Sequence, residues 1–228
     1  DRAVTARRLL VATGLRDELP DVPGLTARWG IDVLHCPYCH GWEVRDQRIG
    51  ILATGPAAAH QALLFRQLSR HVTVLAHTAP ELAREQREQF AALGIPVIEG
   101  TVTCVETDDG GLTGVRLADG TRVALDTVIV APRMTANAEL LAPLGLIPTE
   151  VRVGEQVMGT QIEADPSGAT SVPGVWVAGN LANIQAQVIT SAAAGLTAGA
   201  AINADLAAED AKRAVGETPR TPATSASR

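Results

Sequence analysis

Aromatic residues make up only 3% of the 228 positions, and lysine occurs once, at Lys212. Arginine supplies the rest of the positive charge, is scattered along the chain, and leaves a formal net charge of −6. No electrostatic footprint for nucleic acid results, and no nucleic-acid partner is expected. No apolar run approaches the roughly 20 residues that a bilayer crossing requires, so no membrane partner is expected either. Cysteine is scarce as well, with three in all, and the opening residues carry no signal-like pattern. A reducing, cytoplasmic setting is the corresponding expectation. Against these shortages the chain is 46% hydrophobic, enough to bury a core in one large or two small domains.

Two of the three cysteines fall in the run Cys36-Pro37-Tyr38-Cys39-His40, preceded by His35. Two intervening residues let both sulfurs reach one turn at the start of a helix, where a disulfide can close and open. One thiol then attacks and its neighbour resolves. A helix N-terminus and an adjacent imidazolium draw a thiol pKa down from its free value of about 8.5, and His40 reads as the acid/base partner. Zinc competes with this reading, but it wants about four ligands at tetrahedral reach. His35, Cys36, Cys39 and His40 are crowded into six consecutive residues, and Cys104 lies far away on an apolar stretch, where it reads as a buried hydrophobe. No metal is expected. A purely structural disulfide is the other alternative, and redox exchange fits the spacing better than either.

Further along, Ile49 to Ala53 is a short apolar strand, Thr54-Gly55-Pro56 a turn, and Ala57 to Leu68 has helical periodicity. With the strand Val72 to Ala76 this makes a βαβ unit, a parallel pair with a right-handed crossover. A second helix is predicted over 80–93 and a strand at Val97-Ile98. Asp108 to Gly111 and Asp119-Gly120 are hairpin turn signals that divide 101–124 into a three-stranded meander. Residues 126–131 return as a buried strand. A short helix over 139–145, a strand over 174–179 and an Ala-rich helix over 183–206 follow, and beyond Glu209 Pro, Ser and Thr accumulate. Residues 47–131 therefore form one nucleotide-fold domain, segments 1–46 and 132–207 combine into a second, and 208–228 is expected to be a disordered tail. The first residue is Asp1, and a buried-looking strand follows at once, so further residues are expected upstream.

Four stretches now bear on kinship: Val11-Ala12-Thr13-Gly14 with Pro20, Pro23 and Gly24; Cys36 to Val44; the βαβ unit from Ile49; and Gly174 to Gly195. In this order the chain resembles the thioredoxin-reductase-like FAD/NAD(P)-dependent oxidoreductases, the class II pyridine nucleotide–disulfide oxidoreductases, as an N-terminally truncated member. The resemblance implies an α/β fold, a Rossmann-like nucleotide-binding domain with a β-meander inserted into a partial FAD-binding domain. Residues 1–46 would be an FAD-domain segment with the CxxC at its junction, 47–131 the NAD(P)-binding-like domain, and 132–207 the C-terminal FAD segment. FAD would lie against Ala12, Thr13 and Gly14, against Gly179 and Asn180, and against backbone N–H groups at Gln187 and Val188. NADPH would be approached by Gly55, Ala57 and His77. Catalysis would fall to Cys36, which exchanges with substrate, to Cys39, nearer the flavin, and to His40. The substrate would be a small dithiol or disulfide, or a thioredoxin-like protein, and the assembly a homodimer.

The departures from the family pattern are specific. Asn180 replaces an acid, and no Gly-rich first βαβ unit precedes Ala12. In the G-x-G-x-x-A pattern Ala53 takes the place of the first glycine, and His77-Thr78 stand where a carboxylate or arginines would select the nucleotide, which counts against NADPH. His40 follows the second cysteine where thioredoxin reductases proper carry an acid. That Cys-x-x-Cys-His pattern is similar to the one in dithiol oxidases of small metabolites, which reoxidise their flavin with oxygen. The expected function is a flavin-dependent thiol–disulfide oxidoreductase. An oxygen-using dithiol oxidase and a non-catalytic redox or nucleotide sensor are the alternatives.

Overall fold

Every residue of the strand Ile49–Leu52 is buried, the pattern of a strand covered on both faces. In the computed structural model, which describes residues 3–217, this strand is central to a five-stranded parallel sheet. The order across the sheet is Val33–Leu34, Thr127–Ile129, Ile49–Leu52, Val72–Leu75, Val97–Ile98. Strand side chains alternate between faces. Ile49, Ile51, Val72, Val74 and Ile129 therefore share one core with Ala58, Ala62 and Phe65 of the helix Ala57–Arg66 and Phe90 of the helix Arg84–Leu93. Leu52, Leu75, Val128 and Val130 share the other with Leu112, Val115 and Leu117. The latter belong to the antiparallel meander Val102–Asp108, Gly111–Leu117, Arg122–Ala124. The α/β class and the meander are as the sequence indicates.

Gly50 explains how the meander side closes down. It alternates with Ile49 and Ile51, and a Cβ there would collide with Leu125 Cδ1, a side chain that is itself buried. Gly50→Ala is expected to cost about 1–3 kcal/mol through overpacking, read as a lowered denaturant midpoint with an unchanged slope.

The chain divides into two compact units. One comprises Asp17–Arg133 with Gly154–Gln156, and the other the described parts of Asp1–Arg16, Met134–Val153 and Val157–Arg228. Residues 17–46 thus pack with the nucleotide fold, where the sequence placed them with the outer segments, because Val33 and Leu34 pair with Val128 and Ile129. A two-residue strand leaves too short a pattern to announce that pairing. The helix expected over 80–93 begins at Arg84, since the Ala83 N–H donates to Gln86 Oε1 at 3.0 Å and closes the helix start there.

In the second unit Leu9–Val11 runs parallel to Val175–Val177, and Val11, Leu141, Ile162, Val177 and Leu181 form its core. Arg133–Ala136 runs parallel to Gln156–Gln161, with Met134 opposite Gly159, and Thr149–Val153 lies on the far side of the latter. The helix expected over 139–145 is reduced to a 3-10 turn, Ala142–Leu144. The last helix is longer than expected, Val188–Glu217, and extends through residues 208–217 that composition marked as disordered. Its end is held from the front of the chain. Arg7 pairs with Asp210 at 2.7 Å, Arg8 with Asp205 and Glu209, and Arg213 with Glu209 one turn away. The remainder of the expected tail, 218–228, lies outside the described residues.

Candidate active site

The strand Val33–Leu34 leads through His35 into Cys36, whose extended backbone starts the short helix Pro37–His40. Pro37 sits where its missing N–H costs nothing, and the N–H groups of Cys39 and His40 both donate to the Cys36 carbonyl, at 3.3 and 3.2 Å. The turn is anchored from the nucleotide fold: buried Gln61 donates from Nε2 to the carbonyls of His35 (3.4 Å) and Val130 (3.3 Å). Neither cysteine is in a disulfide; Cys36 is buried and Cys39 exposed. Asp17, Trp29, His35, Cys36, Cys39 and His40 line one cavity of about 250 Å³. Cys36, Cys39 and His40 are thereby brought together, and Asp17 and Gln61 join them. Neither of these two stands in a recognisable motif, and their roles arise from tertiary packing.

At Cys39 the electrostatics run opposite to the lowering expected of a thiol at the helix start. Its thiol is pushed up to about 11, first by the hydrogen bond it shares with Cys36, then by burial, then by the charge at Cys36. Cys36, not Cys39, occupies the helix start, and a neighbouring sulfur that carries charge makes a second one costly. Of the two sulfurs, that of Cys39 is the one exposed to solution.

His35 is held below the ordinary histidine range, chiefly by burial. The charge of Asp17 opposes this shift and that of His40 adds to it. His77 is lowered by burial as well. Both therefore bind fewer protons in the folded chain than in the unfolded chain around pH 6.5. With folded pKa values depressed, the contribution is fully present above about pH 6.5 and is lost as the pH falls below it. Thermal unfolding followed from pH 7.5 to 5 should show the midpoint falling, with a shallower fall in His77→Gln.

The positions expected to meet a nicotinamide nucleotide are arranged differently. A Cβ at Gly55 would collide with Gln156 Nε2, so the Gln156 amide lies over the turn, while Ala57 opens the following helix. The Ala53 carbonyl accepts from the N–H groups of Thr78 and Ala79, at 3.2 and 3.1 Å. His77 adopts a positive φ of 44°, and its Nδ1 accepts from the Val102 N–H at 3.1 Å. The imidazole is thus tied to its own meander.

In the other unit, Val11 opposite Val177, together with the Ala178 N–H donating to the Val11 carbonyl at 3.1 Å, brings the turn Ala12-Thr13-Gly14 beside Gly179 and Asn180. Gly14 has φ 71°, and a Cβ there would lie 3.4 Å from Asn180 Oδ1. Asn137, which no sequence motif marks, clamps this turn: Thr13 Oγ1 donates to the Asn137 carbonyl at 2.6 Å and Asn137 Nδ2 donates to the Thr13 carbonyl at 3.2 Å. Gly179, with φ 72°, faces Ser191 on the first turns of the long helix. Gln187 and Val188 stand exposed at that helix start. Among the described residues no group of three or more His, Cys, Asp or Glu side chains is placed to hold a metal ion, and no helix is long and apolar enough to cross a membrane.

Residues 1–199 match the sequence model of the pyridine nucleotide-disulphide oxidoreductases. The chain is 29% identical over 220 residues to thioredoxin reductase sirT of Leptosphaeria maculans, covering 89% of the chain and 65% of that protein. It is 31% identical over 221 residues to thioredoxin reductase tcpT of Claviceps purpurea, covering 88% and 64%. Among solved structures, HlmI superposes with a TM-score of 0.81 at 47% identity over 95% of this chain and 65% of that one. An oxidoreductase from Agrobacterium tumefaciens superposes at 0.77 with 32% identity, over 87% and 64%. The chain thus spans a little under two thirds of the length of these relatives.

Proposed function

We propose that this chain, which belongs to the pyridine nucleotide-disulphide oxidoreductase family, serves flavin-dependent thiol–disulfide exchange, with Cys36 and Cys39 as the redox pair and His40 as the proton carrier. The family is one of FAD-binding flavoprotein oxidoreductases. The observation that carries the reading is the pair itself: two reduced sulfurs on one turn, joined by a hydrogen bond, lining one cavity with an imidazole.

Exchange proceeds in balanced steps. The exposed Cys39 thiol gives its proton to an imidazole nitrogen of His40, and its sulfur attacks a substrate disulfide. One substrate sulfur leaves and takes the proton from the imidazolium. Cys36 then gives its proton to the same imidazole and attacks the Cys39 sulfur, which closes their disulfide, and the second substrate sulfur leaves as a thiol with that proton. Two electrons have passed from the pair to the substrate. Run backwards, the same steps oxidise a substrate dithiol. Gly14, Asn180 and the helix start at Val188 fit the edge of a flavin, because the glycine leaves the cradle beside Asn180 Oδ1 open. Held by these residues, FAD would supply two-electron redox chemistry. The cavity suits a small disulfide or dithiol substrate. A thioredoxin-like protein substrate, NADPH as reductant, a homodimer and a reducing cytoplasm complete the reading on the strength of the family likeness alone.

A second reading changes the final oxidant. The Gln156 amide over Gly55 and the tethered His77 favour a dithiol oxidase that passes electrons to oxygen rather than receiving them from NADPH. One experiment addresses both readings. FAD-loaded protein is mixed anaerobically with dithiothreitol and, separately, with NADPH. Bleaching of the flavin by the dithiol, lost in Cys36→Ser, is expected. A flavin that no dithiol reduces would overturn the proposed function. Bleaching by NADPH selects the reductase, and its absence the oxidase.

A further inference from the structure

Away from the dithiol, the helix-covered face of the parallel sheet is incompletely filled. The helix Ala57–Arg66 presents Ala58, Ala59 and Ala62 toward that face, and none of these side chains reaches far. The helix Arg84–Leu93 starts late, so residues 80–83 pass over the sheet without helical structure. Between the two a cavity of about 620 Å³ remains, walled by Ala53, Ala59, Val74, Phe90 and Val97. Its mouth carries Gln86, engaged with the Ala83 N–H, and the ion pair of Arg87 with Glu81 at 2.8 Å, both of whose side chains are exposed.

Size and chemistry point the same way. Pockets for small organic ligands run from about 300 to 1,000 Å³ and are lined mainly by apolar side chains with a few polar groups at the edge. The cavity also reaches the carboxyl ends of the central strands, Ala53 and Ala76, where open parallel sheets bind their ligands. What it lacks is the recognition chemistry of a dinucleotide. The first glycine of the turn is Ala53, the Gln156 amide covers Gly55, and His77 is tied to Val102 and not aimed at a ribose.

We infer that the nucleotide-fold unit holds a binding site for a compact, uncharged, largely apolar molecule, such as a fused aromatic ring system or a branched acyl group, in the cavity between these two helices. The inference is independent of the dithiol chemistry, since the cavity shares no lining residue with the dithiol pocket, and it goes with the oxidase reading rather than with NADPH as reductant.

The test uses N-phenylnaphthylamine, a neutral apolar fluorophore, titrated into the full chain. Saturable binding of one equivalent is expected. Ala91→Phe, at an exposed position on the cavity mouth, and Ala76→Leu, on the opposite wall, should each weaken binding by more than about tenfold while circular dichroism stays unchanged. Trp42→Ser and Leu196→Ser, which remove exposed apolar groups elsewhere, should leave it unaltered. The inference is overturned by non-saturable binding, by equal affinity in both filled variants, by loss in either surface variant, or by displacement of the probe with NADPH. Because either filled variant alone suffices, misfolding of one leaves the other decisive.

Discussion

Replacing His40 by Ala is expected to slow disulfide exchange at pH 7 by about a hundredfold, the low end of what a positioned general acid–base contributes. The argument rests on the proton that Cys39 keeps. With the thiol pushed up to about 11, its thiolate fraction at pH 7 is on the order of 10⁻⁴, so an exposed sulfur is of little use until a base removes the proton. His40 is the next residue and lines the same cavity. In the variant, the rate should climb about tenfold per pH unit and meet the parent only in the alkaline range, as hydroxide replaces the imidazole. Stopped-flow exchange with an aromatic disulfide across the pH range measures this. Parallel profiles for the two proteins would remove the role from His40.

Cys36→Ala should have an effect of opposite sign on the first step and a complete effect on the second. Its removal takes away the hydrogen bond and the charge that hold the Cys39 thiol up, so that thiol falls from about 11 toward its ordinary 9.0, with burial still holding it somewhat above. The gain in thiolate at pH 7 is then at most about a hundredfold. A less basic thiolate is also a weaker nucleophile, with a Brønsted slope of about 0.4–0.5 that returns roughly six- to tenfold of the gain. The net expectation is an attack on an aromatic disulfide faster by up to about tenfold. No resolving sulfur remains, so one equivalent of aromatic thiol is released instead of two and the mixed disulfide on Cys39 persists. Absorbance gives the stoichiometry and intact mass gives the adduct. A slower first step would show that the pair does not share its proton as described.

What was legible in the sequence follows the reach of each signal. The strands at Ile49–Leu52 and Val72–Leu75 were written in continuous apolar runs with a turn and a helix between them, and the meander in its paired Asp-Gly turns. The dithiol and His40 were legible because their spacing is local. Pairings between distant short segments were not. Val33–Leu34 has two residues, and what makes it a sheet strand is Thr127–Ile129, more than ninety positions away. Thr149–Val153 and Gln156–Gln161 mix polar and apolar residues over half-exposed surfaces, leaving no clean alternation to read. The last helix ran past its expected end because Arg7 and Arg8 hold its acidic residues from the opposite end of the chain.

The site shows the same division. Gly14 and Asn180 were named from a resemblance, and the strand pairing of Val11 with Val177 brings them together. Asn137, Asp17 and Gln61 carried no signal, since each acts through a contact made by tertiary packing. His77 occupied the expected position along the chain, but its positive φ and the Val102 N–H turned the ring to a structural task. The upward shift at Cys39 could not be read beforehand, because the sequence shows two sulfurs and not which of them sits at the helix start.

The central claim is that Cys36 and Cys39 interconvert between dithiol and disulfide as one unit. Equilibrating the chain in glutathione buffers of graded ratio, trapping free thiols with acid and an alkylating reagent, and reading intact and peptide masses tests it directly. The account predicts a single reversible transition in which a bond joining Cys36 to Cys39 forms while Cys104 stays alkylatable. Glutathione adducts on either cysteine with no intramolecular bond at any ratio, or a pair that resists oxidation throughout, would contradict it.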